Sequence, residues 1–131
     1  MNIKSQNYGT EEIPFSPSTE SGSLLFVSGQ GGNDPLTGEI KDGDLENQTI
    51  NTVRNIELIL GRHGLTLKDV VKVNIFLTNR QHYEPFNQIY SLLFPRPYPA
   101  RTLVYCDLNF DLLVEIDVIA RLKRYPDTSI D

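Results

Sequence analysis

Residues 113–122 read Leu-Val-Glu-Ile-Asp-Val-Ile-Ala-Arg-Leu, and this stretch decides the fold. Branched apolar residues recur at every second position, which is typical of a β-strand rather than a helix. One face of such a strand would carry Val114, Ile116 and Val118, and the other would carry Ile119 and the aliphatic stem of Arg121. Because both faces hold apolar groups, the pattern predicts a strand in a sheet that is covered on both sides.

Alternation of the same kind predicts three further strands, over residues 24–30, 70–78 and 101–106. Within residues 70–78, one face is expected to carry Val71, Val73, Ile75 and Leu77. Each of these segments is short and bounded by glycine, proline or polar residues, as strands usually are.

Helical spacing of apolar residues predicts two amphipathic helices, over residues 45–62 and 83–94. Asp44 is placed to cap the first helix, and Gly61 and Gly64 are placed to end it. The buried face of the second helix is expected to carry Tyr83, Phe86, Ile89, Tyr90 and Phe94. Pro85 fits this second helix only within its first turn.

The resulting order, β-β-α-β-α-β-β, predicts an α+β fold, a two-layer sandwich of one mixed β-sheet covered by two helices. A length of 131 residues suits a single domain over residues 1–131. Residues 1–23 are expected to form a short strand and a looped segment, and residues 125–131 a loose tail. Because two helices cover only one face of the sheet, the other face is expected to pack against another copy of the chain.

Composition narrows the class of function. The net charge of −5 weighs against nucleic-acid binding, because a basic surface supplies most of that affinity. No apolar run is long enough to span a bilayer, and residues 1–6 lack the apolar stretch of a secretory signal, so we expect a cytoplasmic protein. The single cysteine, Cys106, excludes an internal disulfide, and His63 and His82 form no ligand set, so no metal site is expected.

Arg101 is the strongest candidate for a functional residue. It follows Pro97 and Pro99, which favour an extended backbone, and it begins a predicted strand. A permanently charged guanidinium in this place needs an anion, and its planar fork suits a carboxylate. That carboxylate could come from Glu115 or Asp117 of the chain or from a bound small molecule, and the residues alone leave both interpretations open.

Six segments in order resemble the motifs of one known family. They are residues 24–30 (LLFVSGQ), 34–39 (DPLTGE), 69–78 (DVVKVNIFLT), 86–90 (FNQIY), 99–102 (PART) and 114–120 (VEIDVIA). The chain thus resembles the YjgF/RidA/L-PSP family of enamine and imine deaminases, from residue 13 to residue 122. The resemblance implies a chorismate-mutase-like fold, in which three subunits join their sheets into a central barrel and bind ligands in the clefts between subunits.

The resemblance also implies a set of site residues. It makes Arg101 a bidentate clamp on the carboxylate of a 2-imino or 2-enamino acid, and Glu115 the group that positions the hydrolytic water. The backbone of Ser28 and Gly29 would line the pocket, and Asn87 would lie near the substrate unless it is a surface amide. Hydrolysis would give a 2-oxo acid and ammonia without a cofactor, because the imine carbon is already electrophilic.

Two positions depart from the family's pattern. Phe15 stands where many members carry tyrosine, and Leu103 stands where many carry cysteine. A pocket with these residues would suit a bulkier, more hydrophobic imino acid, or an unsaturated amino acid from ring cleavage such as an aminomuconate. The loss of two polar groups also leaves open a ligand-binding or regulatory module without turnover. Ribonuclease activity, attached to some relatives, is disfavoured by the acidic charge balance.

Overall fold

The computed structural model describes residues 13–123 of the chain. Its helices and strands are β1 Ser18–Ser21, β2 Leu24–Gly31, α1 Leu45–Gly61, β3 Val70–Leu77, α2 Tyr83–Leu93, β4 Ala100–Tyr105 and β5 Val114–Arg121. This order confirms the predicted α+β arrangement. Of the strand and loop predicted over residues 1–23, the described part contains β1, with the irregular segment 13–17 before it. Residues 1–12 and the tail predicted over 125–131 lie outside the described part of the chain.

The five strands form one mixed sheet in the order β1-β2-β5-β3-β4. Three neighbouring pairs are antiparallel, whereas β3 and β4 run parallel. A parallel pair needs a crossover connection, and α2 supplies it because it lies between these two strands in the sequence. Because β4 is the last strand in this order, it lies at an edge of the described sheet. Arg101 is near the beginning of β4.

Both helices pack against the same face of the sheet, and the hydrophobic core lies between the two layers. The sheet contributes buried side chains at alternate positions, among them Leu25, Val73, Ile75, Ile116 and Val118. The helices contribute Val53, Ile56 and Leu60 from α1 and Phe86 and Tyr90 from α2. Burial of apolar surface between the layers is the main stabilising term for such a fold.

The other face of the sheet, here called the open face, is not covered by either helix. It presents Phe26, Lys72, Asn74, Phe76, Thr102, Val104, Glu115, Asp117 and Ile119. Its apolar groups are separated by a polar row, in which Asn74 Nδ2 donates to Asp117 Oδ1 at 2.8 Å. Nearby, Lys72 Nζ donates to Thr102 Oγ1 at 2.7 Å. The open face is thus a mixed surface, more polar than the alternation of residues 113–122 alone predicts.

The expected facing of Val71 is wrong. Val71 is 39% exposed, whereas Val70 is only 6% exposed and takes the buried position. The register of β3 against β5 shifts between Val70 and Lys72, so that Val71 is an extra residue on β3. Such a bulge reverses the alternation at one point, and from Val73 onward the predicted facing is correct.

The predicted buried face of α2 is correct for Phe86, Tyr90 and Phe94, whereas Ile89 is only half-buried and Tyr83 is exposed. Tyr83 is the first residue of α2 and lies almost one turn before Phe86, beyond the point where the helix meets the core. Pro85 lies in the first turn, as predicted. Among residues 13–123, neither helix has the length and apolar character needed to cross a membrane.

The ends of α1 follow the predicted capping residues. Asp44 Oδ1 accepts a hydrogen bond from the backbone N–H of Asn47 at 2.9 Å. After the helix, Gly64 adopts a φ of 71°, and the N–H of Leu65 donates to the carbonyl of Leu60 at 3.0 Å. Glycine adopts a left-handed backbone conformation at little conformational cost, which explains why the helix can end here.

One buried side chain of α1 holds two loops that flank the sheet. Gln48 is fully buried, and its Nε2 donates to the carbonyls of Lys41 at 2.8 Å and Asp111 at 3.0 Å. Its Oε1 accepts from the backbone N–H of Leu113 at 2.8 Å. A buried amide with all these bonds made is costly to disturb. Gln48 therefore fixes the loop before α1 against the loop that leads into β5.

Candidate functional site

Arg101 lies on β4, and its side chain points toward α2. It pairs in register with Val73, which belongs to the helix-facing side of β3. Its Nη2 donates to Asn87 Oδ1 at 2.6 Å, and its Cζ lies 4.9 Å from the centre of the Tyr90 ring. The Phe86 ring lies further away, at 5.9 Å. An aromatic face under a guanidinium attracts the cation, so α2 holds Arg101 by one hydrogen bond and two rings.

The Arg101 guanidinium has no ion pair with any carboxylate of residues 13–123. Asp117 instead accepts its hydrogen bond from Asn74 on the open face. The possibility of a structural pair with Glu115 or Asp117 is therefore excluded within one chain. A guanidinium carries five N–H donors, and Asn87 occupies one of its nitrogens, so several donors stay available for an anion.

A cavity of about 340 Å³ lies beside this guanidinium. Its lining consists of Asn87, Tyr90, Ser91, Tyr98, Pro99 and Arg101. The hydroxyl of Tyr90 is buried close to the Arg101 guanidinium. Burial raises the pKa of Tyr90, while the charge of Arg101 acts in the opposite direction. The cavity therefore offers cationic and neutral donors to an anionic group.

Glu115 lies near the beginning of β5, on the open face, between Gly31 of β2 and Phe76 of β3. Its carboxylate has no hydrogen-bond or ion-pair partner within the described chain. Burial raises the pKa of Glu115, and the negative charge of Asp117 raises it further. A carboxyl group with a raised pKa holds a proton more readily than a free carboxyl group does, which suits it to proton transfer.

The backbone of β2 makes room for this carboxylate. The register of β2 against β5 shifts between Val27 and Gln30, so that Ser28 and Gly29 together face Asp117. A Cβ added at Gly29 would lie 2.5 Å from Glu115 Oε2. The carboxylate thus occupies space that only a glycine leaves free.

Glu115 borders a larger cavity, of about 710 Å³, at the end of β2. Its lining consists of Ile13, Phe15, Gly29, Gln30, Gly31, Asn33, Gly38, Ile40, Asn109, Phe110, Leu112 and Glu115. Glu115 is the one ionisable side chain among these lining residues. The size falls within the range of cavities that bind small molecules, roughly 300–1,000 Å³.

The predicted site residues thus form two groups. Arg101 and Asn87 meet on the helix-facing side, and Glu115, Gly29 and Phe15 meet at the larger cavity. Because Val73 pairs with Arg101 and Phe76 pairs with Glu115, the two groups lie on opposite faces of the sheet.

Two of the predicted residues contribute less directly. Ser28 donates from its Oγ to the carbonyl of Ser16 at 2.6 Å, and so holds the segment that carries Phe15. Leu103 pairs with Ile75 and packs against the core on the helix-facing side. A single pocket that holds both Phe15 and Leu103 is therefore not formed within one chain.

The lining residues that were not identified as site residues from the sequence include Tyr90 and Phe110. Tyr90 was expected only as a core residue, although its spacing from Asn87 places both under Arg101. Phe110 lies in the loop before β5 and borders the larger cavity. No periodicity or motif marks a loop phenylalanine of this kind.

Comparison with known proteins gives a consistent result. Residues 9–122 match the model of the family described as Endoribonuclease L-PSP. The chain is 39% identical over 108 residues to a RutC family protein of Pyrococcus horikoshii, which covers 82% of this chain and 86% of that protein. RidA from the Antarctic bacterium Psychrobacter has a TM-score of 0.79 at 32% identity, covering 83% of this chain and 89% of that chain. TdcF of E. coli, solved with bound serine, has a TM-score of 0.78 at 31% identity, covering 84% and 89%.

Proposed function

This chain belongs to the YjgF/RidA/L-PSP family, and we propose that it hydrolyses reactive 2-imino and 2-enamino acids to 2-oxo acids and ammonia. The observation that carries this proposal is the Arg101 guanidinium, which borders a cavity and has no carboxylate of residues 13–123 against it. A guanidinium that has no carboxylate partner and borders a cavity can bind an anionic ligand.

Arg101 would bind the carboxylate of the substrate. Asn87 and the Tyr90 ring fix the plane of the guanidinium, so that its remaining N–H groups are directed before the ligand arrives. Two parallel N–H···O bonds would then select an acid over a simple imine. The bound serine of TdcF supports this role, since serine is itself a small molecule with a carboxylate.

Glu115 would handle the protons of the reaction. A water held by Glu115 attacks the carbon of the protonated imine, the C=N electron pair moves to nitrogen, and Glu115 accepts a proton from the water. Glu115 then returns this proton to the amino nitrogen of the carbinolamine. The C–N bond breaks as the C=O bond forms, and the hydroxyl proton passes to the departing ammonia. The raised pKa of Glu115 suits both transfers.

A complete site would need two protomers. Arg101 and Glu115 point to opposite faces of one sheet, so a substrate cannot touch both within one chain. A homo-oligomer that brings the Arg101 edge of one protomer to the Glu115 cavity of its neighbour would let one substrate contact both groups. The family resemblance favours a homotrimer with sites in the clefts between subunits.

The larger cavity supports a small uncharged or singly charged ligand over a nucleic acid. The one ionisable group among its lining residues is Glu115, which would repel a phosphate backbone. The chain's net charge of −5 acts in the same direction. These observations favour imine hydrolysis over the RNA cleavage in the family's description.

The decisive experiment is a coupled assay. An amino-acid oxidase generates the imine in situ, and semicarbazide traps what has not been hydrolysed, so an active protein lowers the initial rate of semicarbazone formation. We expect the wild type to do so and Arg101→Ala to lose at least about 100-fold in kcat/KM. Arg54→Ala, which removes the same charge from the exposed side of α1, is the matched control.

A ligand-binding module without turnover would give a different result. It would bind 2-oxo acids through Arg101 but leave semicarbazone formation unchanged on every imine tested. The hydrolase proposal instead requires that Glu115→Gln binds a 2-oxo acid and no longer accelerates imine loss. Equal rates for the wild type and Arg101→Ala would remove the carboxylate clamp.

A further inference from the structure

Phe110 has a backbone conformation that packing among residues 13–123 does not explain. Its φ is 57°, in the left-handed region that bulky side chains rarely adopt. The residue is nevertheless 84% exposed. A strained residue usually persists because something else gains from it, and such residues concentrate at functional sites. Phe110 lies at the rim of the cavity that contains Glu115.

The loop that carries Phe110 is held in place by hydrogen bonds to a side chain of α1. Gln48 of α1 accepts from the N–H of Leu113 and donates to the carbonyl of Asp111, the residue after Phe110. Because Gln48 is fully buried, these bonds are protected from water. The aromatic ring is therefore presented by an anchored loop rather than by a free one.

The lining of this cavity has the character of a subsite for an apolar group. Its apolar lining residues include Phe15, Ile40, Phe110 and Leu112, beside the Glu115 carboxylate and the uncharged amides of Gln30, Asn33 and Asn109. The lining residues include no lysine, arginine or histidine. A second carboxylate on the substrate would have no cationic partner here and would be repelled by Glu115.

We propose that this cavity binds the side chain of the substrate and that Phe110 makes the protein selective for 2-imino acids with large, uncharged, apolar side chains. Imines derived from leucine, methionine or phenylalanine fit this description. Dicarboxylic substrates, including an aminomuconate and the imine of glutamate, do not. This inference rests on the proposed function, because it places the reacting carbon beside Glu115.

The test compares imines of leucine, phenylalanine, alanine and glutamate, each made in situ by an oxidase that accepts the parent amino acid. We expect kcat/KM for the leucine imine to exceed that for the alanine imine by at least about tenfold, and the glutamate imine to be the poorest. Phe110→Ser should lower the leucine-to-alanine ratio by about five- to tenfold. Leu92→Ser, which removes an equally exposed apolar side chain (86%) on α2, is the matched control and should keep the ratio.

A binding measurement separates failure of this inference from failure of the proposed function. Titration with 4-methyl-2-oxopentanoate and with 2-oxoglutarate, both stable, should show tighter binding of the first, and Phe110→Ser should reduce the difference. Turnover with equal rates for leucine and alanine imines would overturn the selectivity but leave the hydrolase. Selective binding without any turnover would overturn the hydrolase but support the subsite. A changed oligomer mass in Phe110→Ser with an unchanged substrate ratio would assign Phe110 to a contact between protomers and overturn its role here.

Discussion

Arg101 and Glu115 lie on opposite faces of the same sheet, on the two strands that flank β3. Arg101 pairs with Val73, and Glu115 pairs with Phe76, three residues further along β3. An odd separation along a strand reverses the face, so the guanidinium points to α2 and the carboxylate to the open face. The proposed reaction needs both groups at one substrate, and only a second protomer can bring them together.

The first prediction is complementation between two inactive variants. Arg101→Ala and Glu115→Gln should each be inactive alone, but after subunit exchange a 1:1 mixture should regain about a quarter of the wild-type activity. The fraction follows because half of the protomers keep Arg101, half keep Glu115, and a site needs one of each. The measurement is the imine-hydrolysis rate after native mass spectrometry has shown mixed assemblies.

A matched control keeps this test specific. Mixing Arg101→Ala with a double variant, Arg101→Ala/Glu115→Gln, should regain nothing, because no protomer then carries the guanidinium. If the first mixture forms mixed assemblies and stays inactive, each site must be built from one chain, contrary to the geometry of the sheet.

The second prediction concerns Asn87, which accepts the hydrogen bond from Arg101 Nη2 at 2.6 Å. Asn87→Asp would place a carboxylate against the guanidinium and so compete with the substrate, and we expect KM to rise by at least about tenfold. Asn87→Ala removes the acceptor without adding a charge, and KM should rise by only about two- to fivefold. Steady-state kinetics on one imine, with kcat and KM separated, measures the difference.

The order of the two Asn87 variants is the informative result. If Asn87→Ala were the more damaging, the amide would itself bind the substrate rather than orient Arg101. Equal KM values for the wild type and Asn87→Asp would mean that the carboxylate of the substrate does not bind at Arg101. Thermal unfolding of both variants checks that α2 still packs on the core.

The third prediction is a pH dependence. Glu115 must be ionised to accept the proton of the water, and burial and Asp117 raise its pKa above the ordinary value of 4.5. The activity should therefore fall on acidification with a midpoint above 4.5. Asp117→Asn removes the neighbouring negative charge, which lowers the pKa of Glu115, so the midpoint should move to lower pH. Profiles of kcat against pH measure this shift.

Glu57→Gln removes the same charge from the exposed side of α1 and is the control for Asp117→Asn. Its profile should coincide with that of the wild type. A midpoint that stays in place in Asp117→Asn, or moves upward, would mean that the observed titration belongs to a group other than Glu115.

The fold is largely predictable from the sequence because each segment has one buried face. Alternation predicted β2 to β5 and helical spacing predicted α1 and α2, with ends within one residue of those observed. The strand β1 was predicted only as a short strand within residues 1–23. Val71 could not be predicted, because a bulge depends on how two strands pair and not on the pattern of one. The exposed position of Tyr83 likewise depends on where α2 meets the sheet.

The site is predictable only in part. Residue type and motif single out Arg101, Glu115 and Gly29. A charged side chain within an apolar strand needs a partner, and a glycine at a strand end indicates that another group approaches the backbone closely. Their division between two faces depends on the register of β3 against β4 and β5, and a slip of one residue would reverse it. Phe110 could not be identified as a site residue from the sequence, because its proposed role depends on its backbone angle and on the cavity beside it.

The fourth prediction contrasts two glycines at the end of β2. A Cβ at Gly29 would meet Glu115 Oε2 at 2.5 Å, and a carboxylate at the end of a flexible side chain can move aside. The φ of Gly29 is not in the left-handed region, so alanine fits its backbone. Gly29→Ala should thus lose at least about tenfold in kcat while its free energy of unfolding changes by less than about 1 kcal/mol.

A Cβ at Gly32 would instead lie 2.6 Å from the Cα and from the carbonyl oxygen of Gln48, which are backbone atoms of α1 and cannot yield. Gly32→Ala should therefore lower the free energy of unfolding by about 1–3 kcal/mol or more. Urea denaturation and the imine assay on both variants give the comparison. A Gly29→Ala protein that keeps full kcat would show that the position of the Glu115 carboxylate does not matter for the reaction, and this would count directly against its role as the base.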